Sequence, residues 1–208
     1  MNQTLHIMTK AFISGFLVGI GCILYISAQS QIVGSILFSF ALILIVSRGY
    51  YLFTGKIGYL LPYEKGYAKM IGKTLLGNVL GVLFIAGLFL LSGKDIAITQ
   101  AETLVSYKLD QTWYQTLVLA VFCGFMMYLA VDSYHKIKND ISALAIVIFA
   151  VVIFIISGFE HSIADMVYFT IARSFSFQSL LFILIVLIGN MIGSVFLNLL
   201  HTIIKEKS

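Results

Sequence analysis

Ser157-Gly158-Phe159-Glu160-His161-Ser162 interrupts an apolar run that extends from Ile141 to Ile171. The six residues put a carboxylate and an imidazole in the middle of a segment long enough to cross a bilayer core, where ionisable groups mark a pathway. They also break the segment. Ser-Gly gives a helix a weak point, and backbone groups freed inside a membrane need partners in protein or in a water-lined cavity. A discontinuous membrane helix lining a cavity is the first expectation.

The rest of the chain fits that setting. Sixty per cent hydrophobic residues, 11% charged, one proline in 208 residues and a mean hydropathy of +1.02 describe a polytopic helical membrane protein rather than a soluble domain. Ala11 to Ser30 carries Gly15, Gly19 and Gly21 and runs directly into a second apolar stretch with no small-residue cleavage site, so it reads as a retained span and not a signal peptide. Cys22 and Cys123 lie inside apolar stretches at a spacing that suggests neither a disulfide nor a metal site. The net charge of +4 raises the question of a nucleic-acid partner, and the placement of the charges answers it, because they follow topology. The apolar stretches are Ala11 to Ser30, Ile32 to Ser47, Ala68 to Leu91, Thr112 to Ser133, Ile141 to Ile171 and Phe177 to Ile204, which predicts six spans. With the N-terminus inside, the cytoplasmic segments hold Lys10, Lys56, Lys65, Lys69, Lys73, Lys136, Lys138, Lys205 and Lys207, against Lys94, Lys108 and Arg173 outside. The positive-inside rule therefore predicts a multi-pass protein of the plasma (inner) membrane with both termini in the cytoplasm and no nucleic-acid partner.

Two spans repeat one another. Leu75-Leu76-Gly77-Asn78-Val79-Leu80-Gly81 in the third and Leu187-Ile188-Gly189-Asn190-Met191-Ile192-Gly193 in the sixth match at an offset of 112 residues. Copies three spans apart sit in opposite orientation, which is an inverted repeat, here about 11–92 and 112–204 within a single domain, 1–208. Small residues four apart are also common wherever membrane helices pack; the matching Asn78 and Asn190 raise the repeat above that reading. The same offset carries His161 back to Gly49, in Ser47-Arg48-Gly49-Tyr50-Tyr51-Leu52-Phe53-Thr54-Gly55, so a second break is expected in the second span, facing the first near the midplane.

Leu52-Phe53-Thr54-Gly55 after a broken second helix, Gly158-Phe159-Glu160-His161-Ser162-Ile163-Ala164 in a broken fifth, and Gly189-Asn190 in the sixth resemble the formate/nitrite transporter family. The resemblance implies an aquaporin-like, all-α protomer of six helices, assembled as a homopentamer in the lipid bilayer. Each protomer then carries a path for a small monovalent anion such as formate, nitrite or hydrosulfide, with protons as a second partner and no cofactor. His161 matches the family's central histidine and Thr54 the loop threonine that approaches it. Leu52 and Phe53 precede that threonine as in the family, and counting back places Phe38, Leu42 and Phe154 at its constrictions. The chain departs from the pattern at Tyr50, Tyr51 (usually acidic), Gly124 and Asp165 (usually Asn), which makes it a divergent member.

The residues suggest how such a path works. An anion entering an apolar ring loses hydration worth several kcal/mol, and half-helices starting after Gly55 and after His161 would aim positive dipole ends at the break to offset it. Thr54 adds a hydroxyl donor, and His161, with an ordinary pKa of about 6.5, can hand a proton to a weak-acid anion. Outside this motif a lone histidine reads as a structural hydrogen-bonding group; the symmetric break and the family match reverse that. Glu160 points to another face, and its expected task is to accept hydrogen bonds from backbone donors freed at the break. Asp165, four residues on, either shares a face with His161 and pairs with it or faces the protomer interface and satisfies backbone or a neighbouring helix. Arg48 is an anion attractor, a partner of Asp165, or a loop anchor. Phe38, Leu42 and Phe154 are ordinary packing residues without the family match.

Other classes fit less well. A neutral-solute channel of aquaglyceroporin type needs two Asn-Pro-Ala caps, and the chain has only Pro62. An intramembrane enzyme needs a fuller ligand set than Glu160, His161 and Asp165, with no His-Glu-x-x-His and His201 near a helix end, so no catalytic or metal site is expected. The alternative that stands is a non-enzymatic, poorly conducting or neutral-solute pore of the same fold.

Overall fold

Without water to pair with, the backbone of an apolar chain satisfies its own N–H and C=O groups, and helices do so within each segment. The computed structural model describes residues 2–205. Its described residues form nine α-helices and no strand. They are α1 (Gln3–Ser27), α2 (Gln31–Ser47), α3 (Phe53–Lys56), α4 (Tyr67–Leu90), α5 (Asp95–Leu109), α6 (Trp113–Lys136), α7 (Asp140–Ile156), α8 (Ser162–Ile171) and α9 (Phe177–Lys205), with a 3-10 turn at Ile57–Leu60. By length and composition α1, α4, α6 and α9 can each cross a membrane, while α2, α7 and α8 are shorter apolar helices. Lys207 lies outside the described residues.

Two expectations change. The first helix begins at Gln3 rather than Ala11, because Asn2 caps it, accepting the Thr4 N–H at 3.0 Å, and two polar turns extend it. The stretch between the third and fourth spans, which the hydropathy pattern leaves unassigned, is the helix α5. Its seam Ala97, Ala101, Val105 recurs every four residues and is buried, so α5 docks on the apolar helices by one narrow stripe.

Helix α1 packs along α4 and α6 along α9, with α2 against α7 between them. Both long seams close on glycine. A Cβ at Gly81 would strike the Phe12 carbonyl oxygen, and one at Gly193 the Val121 carbonyl oxygen, so these backbones approach as only glycine allows. Gly81→Val is therefore expected to cost about 1–3 kcal/mol or more by overpacking. Gly87→Ala, whose Cβ would meet nothing within 4 Å, is expected to leave stability unchanged or slightly raised. Denaturation of purified protein in detergent compares the two.

The chain leaves helical geometry twice in the same way. Helix α2 ends at Ser47 and α3 starts at Phe53; α7 ends at Ile156 and α8 starts at Ser162. Gly49 and Gly158 occupy the left-handed region at φ 61° and 67°, which turns the chain out of the preceding helix at little cost. The hydrogen bonds then match one for one. Tyr50 donates to Ile45 and Phe159 to Phe154 at 2.9 Å; Tyr51 donates to Lys10 and Glu160 to Leu119 at 3.4 Å. The two breaks are thus related by an offset of 109 residues, not the 112 that relates Asn78 to Asn190. His161 corresponds to Leu52, the residue that precedes α3, and not to Gly49. The difference of three arises because 28 residues separate Ser162 from Asn190 and only 25 separate Phe53 from Asn78, which a single offset cannot absorb.

Candidate functional site

Each break is held by an asparagine from a neighbouring helix. Asn78 on α4 accepts the Phe53 N–H at 2.8 Å and donates to the carbonyls of Ala11 at 2.7 Å and Tyr51 at 2.9 Å. Asn190 on α9 accepts the Ser162 N–H at 2.9 Å and donates to Ala120 at 2.9 Å and Glu160 at 2.8 Å. Both are fully buried. A side-chain amide is the one uncharged group with an acceptor and two donors, which is what an interrupted helix beside an unbroken one requires. These contacts overturn the expected role of Glu160: Asn190, not the Glu160 carboxylate, meets the freed backbone N–H.

The breaks bring Thr54 and His161 together. Thr54 Oγ1 lies 2.9 Å from His161 Nε2, and both side chains are buried. His161 Nδ1 accepts the Ala164 N–H at 3.1 Å, capping α8, so the ring proton resides on Nε2 and is donated to Thr54. The threonine hydroxyl hydrogen remains free to point elsewhere. On one side, Phe154 stacks on His161 with centroids 5.6 Å apart and meets Phe38 edge-on at 5.8 Å. On the other, Leu52 lines a pocket of about 20 Å³ with Gly55, Lys56, Val131 and His135, room for about one water. Phe38, Leu42, Leu52, Phe53 and Phe154 are all buried apolar side chains. Helix α3 starts at Phe53, ahead of Thr54 rather than after Gly55, and is one turn long.

Cations flank both sides. Lys10 and Lys56 sit over the face of Tyr51 at 5.3 and 5.2 Å, so the aromatic ring gathers two ammonium groups where the resemblance leads one to expect an acid. At the corresponding position of the other break, Glu160 is ion-paired with Lys108 and accepts from Gln111 Nε2 at 2.9 Å. Lys108 Nζ also contacts Asp165 Oδ1 at 2.9 Å. Burial opposes the charge on Lys108, but the coulombic pull of Asp165 and Glu160 outweighs it, and its pKa is raised above the ordinary lysine value. Of the two readings of Asp165 the pairing with His161 falls, since Asp165 meets Lys108 on the neighbouring helix α5 and both ring nitrogens of His161 are engaged elsewhere; of the three readings of Arg48 the pairing with Asp165 falls. Arg48 is exposed beside an apolar groove of Phe12, Phe16, Leu44 and Phe84, and has no ion pair among the described residues.

Sequence reading missed Lys108, Gln111, Lys10 and His135 as site residues. The signal for Lys108 was present: it is one of only three basic residues on the side that the positive-inside rule depletes.

The fold and the site define an all-helical integral membrane protein with a polar couple enclosed between apolar side chains. Residues 1–203 match the family model for formate/nitrite transporters, and the chain belongs to that family. The formate channel FocA of Haemophilus influenzae is 30% identical over 148 residues, 66% of this chain and 52% of that protein. The nitrite transporter NirC of Escherichia coli is 27% identical over 190 residues, 82% of this chain and 70% of that protein. A solved structure described as a pentameric formate channel with formate bound superposes with a TM-score of 0.83 at 21% identity, covering 97% of each chain. The chain thus spans 52% of the length of the Haemophilus influenzae formate channel and 62% of the Escherichia coli one.

Proposed function

We propose that the chain is a transmembrane channel or transporter for small monovalent anions of weak acids, in the formate, nitrite or hydrosulfide class, with Thr54 and His161 at the centre of the path. The carrying observation is the 2.9 Å contact between those two side chains, each supplied by a different break and buried, with Phe154 stacked on the His161 ring and Phe38 edge-on to Phe154. Family membership and the names of the relatives, all channels or transporters, support the same reading. The architecture that goes with it is a single domain, 1–208, of six spans in two inverted three-helix halves, aquaporin-like, with the second and fifth helices broken. The matched hydrogen bonds of the two breaks support the symmetry. Both termini face the cytoplasm, the membrane is the plasma membrane, and five copies assemble, as the description of the superposing structure suggests. The protein is not an enzyme and needs no cofactor.

In this reading Lys10 and Lys56 raise the local concentration of anions at one mouth. The Thr54 hydroxyl and the His161 Nε2–H then replace part of the anion's hydration. A second proton on the ring must go to Nδ1, the atom that accepts the Ala164 N–H, so a proton relay through His161 is coupled to release of the α8 cap. Asn at 161 still caps a helix but cannot titrate. His161→Asn is therefore expected to fold and to lose the pH-dependent step in anion flux that titration of the ring produces. Flux of formate, nitrite, hydrosulfide, acetate, chloride and a neutral solute into proteoliposomes across a pH series measures it. Uptake of none of the anions would end the transport reading, and a pH dependence unchanged in His161→Asn would end the relay.

A further inference from the structure

The cluster around Lys108 holds one negative charge too many. Two carboxylates, Glu160 and Asp165, share one ammonium, and all three are largely removed from solvent. Glu160 is satisfied twice, by Lys108 and by Gln111. Asp165 is not. Its Oδ1 meets Lys108 at 2.9 Å, whereas its Oδ2 is buried with no hydrogen-bond partner. An ionised carboxylate oxygen in that position is among the most costly groups a protein can bury.

Among the described residues no other charge relieves it. Helix α1 brings Cys22, whose thiol donates to the Ala164 carbonyl at 3.7 Å, and Tyr25, which lies against Tyr168. Helix α8 itself adds Tyr168, whose ring Lys108 approaches at 6.0 Å. Helix α6 adds Cys123, and α3 adds Thr54 and, on its far side, Lys56. Helix α4 beyond Lys73 and α9 before His201 carry no ionisable side chain. Of all these groups only Lys108 is a cation facing Asp165. Ser162 Oγ is the second buried polar atom without a partner, and it sits three residues before Asp165 on the same face of α8.

We propose that Asp165 is a proton-binding residue that sets the outward-facing charge of the pathway, a function resting on the transport reading above. With a proton on Oδ2, Glu160 and Lys108 form a neutral ion pair, Asp165 Oδ1 still accepts from Lys108, and the new O–H is turned toward the Ser162 hydroxyl. With that proton lost to the outer solution, the cluster carries a net negative charge one helical turn from His161 and repels the anion. Flux then responds to the outer pH at Asp165 as well as at His161.

The first test is independent of transport. Infrared spectra of the reconstituted protein are expected to show the carbonyl band of a buried carboxylic acid in wild type at neutral pH, absent from Asp165→Asn. No such band in wild type would overturn the proposal. The second is formate flux with the outer pH varied. Above its midpoint the Asp165 step is expected to lower wild-type flux by up to about tenfold per pH unit, as for loss of one proton. Asp165→Asn is expected to remove that step while keeping the one that His161→Asn removes, and the double variant to be pH-independent. Glu160→Gln relieves the same excess charge and should flatten the same step, which decides the matter if Asp165→Asn does not fold. A step unchanged in both single variants would overturn the proposal. If wild type carries no anion at all, the transport reading fails and the infrared arm still decides the proton.

Discussion

Lys108→Met is expected to destabilise the protein by about 3–5 kcal/mol, the range for removing one partner of a buried ion pair. The side chain is similar in length, so the loss is electrostatic: Glu160 keeps only Gln111, and Asp165 keeps nothing. Protonation of both carboxylates limits the damage, so the variant should be least affected in acid and progressively weaker as pH rises. The sign is opposite to that of an ordinary carboxylate ion pair, whose contribution is lost on acidification. Chemical denaturation in detergent across pH measures it. The triple variant Lys108→Met, Glu160→Gln, Asp165→Asn removes every charge from the cluster and is expected to recover most of the loss, because buried ionic sets are often replaceable by neutral ones of similar volume. A triple variant as weak as the single one would show that Lys108 acts by packing instead.

Asn190→Leu is expected to be as severe, about 3–6 kcal/mol, for a different reason. It orphans the Ser162 N–H and the carbonyls of Ala120 and Glu160 together, at about 1–3 kcal/mol for each unsatisfied buried group, with partial relief by relaxation. Because α8 then loses the group that fixes its first residue, His161 should drift from Thr54. The predicted signature is loss of flux in whatever fraction still folds, with amide exchange enhanced at residues 159–164. Asn190→Asp keeps the acceptor for Ser162 and, when protonated, one donor, so it should fall between Leu and wild type in acid and weaken as ionisation sets a buried carboxylate against two carbonyl oxygens. Asn78→Leu applies the same test to the other break.

How much of this was legible in the sequence depended on whether the cause was local. The breaks were legible, because Ser-Gly before a charge in an apolar run has few other meanings in a membrane. Thr54 and His161 were legible through short strings that sit at the breaks. Asn78 and Asn190 were visible as a repeat, but their work was not, since nothing in Gly-Asn-x-x-Gly says which carbonyls the amide will meet. The Glu160 assignment failed, and the two readings of Asp165 stayed open, for the same reason. Their partner, Lys108, is 52 residues before one and 57 before the other, on a helix whose buried face is only Ala97, Ala101 and Val105. Such a narrow stripe is weak against the polar residues around it, so hydropathy left α5 unassigned. The offset of 112 misled in a smaller way, being correct for the asparagine helices and three residues wrong for the breaks.

The two halves of the chain exchange their short helices. Helix α8, made late, seats against α1 and α4, which are made first, while α3 and the turn after it seat against α6 and α9. A chain synthesised from its N-terminus therefore holds α1 to α4 in the membrane with the α8 seat open and the Thr54 hydroxyl without its imidazole until residues 161–171 emerge. Neither half can finish alone. Biogenesis must protect an unfilled polar cleft while residues 91–160 are made, and arrival of α8 becomes the step that commits the molecule to its final form.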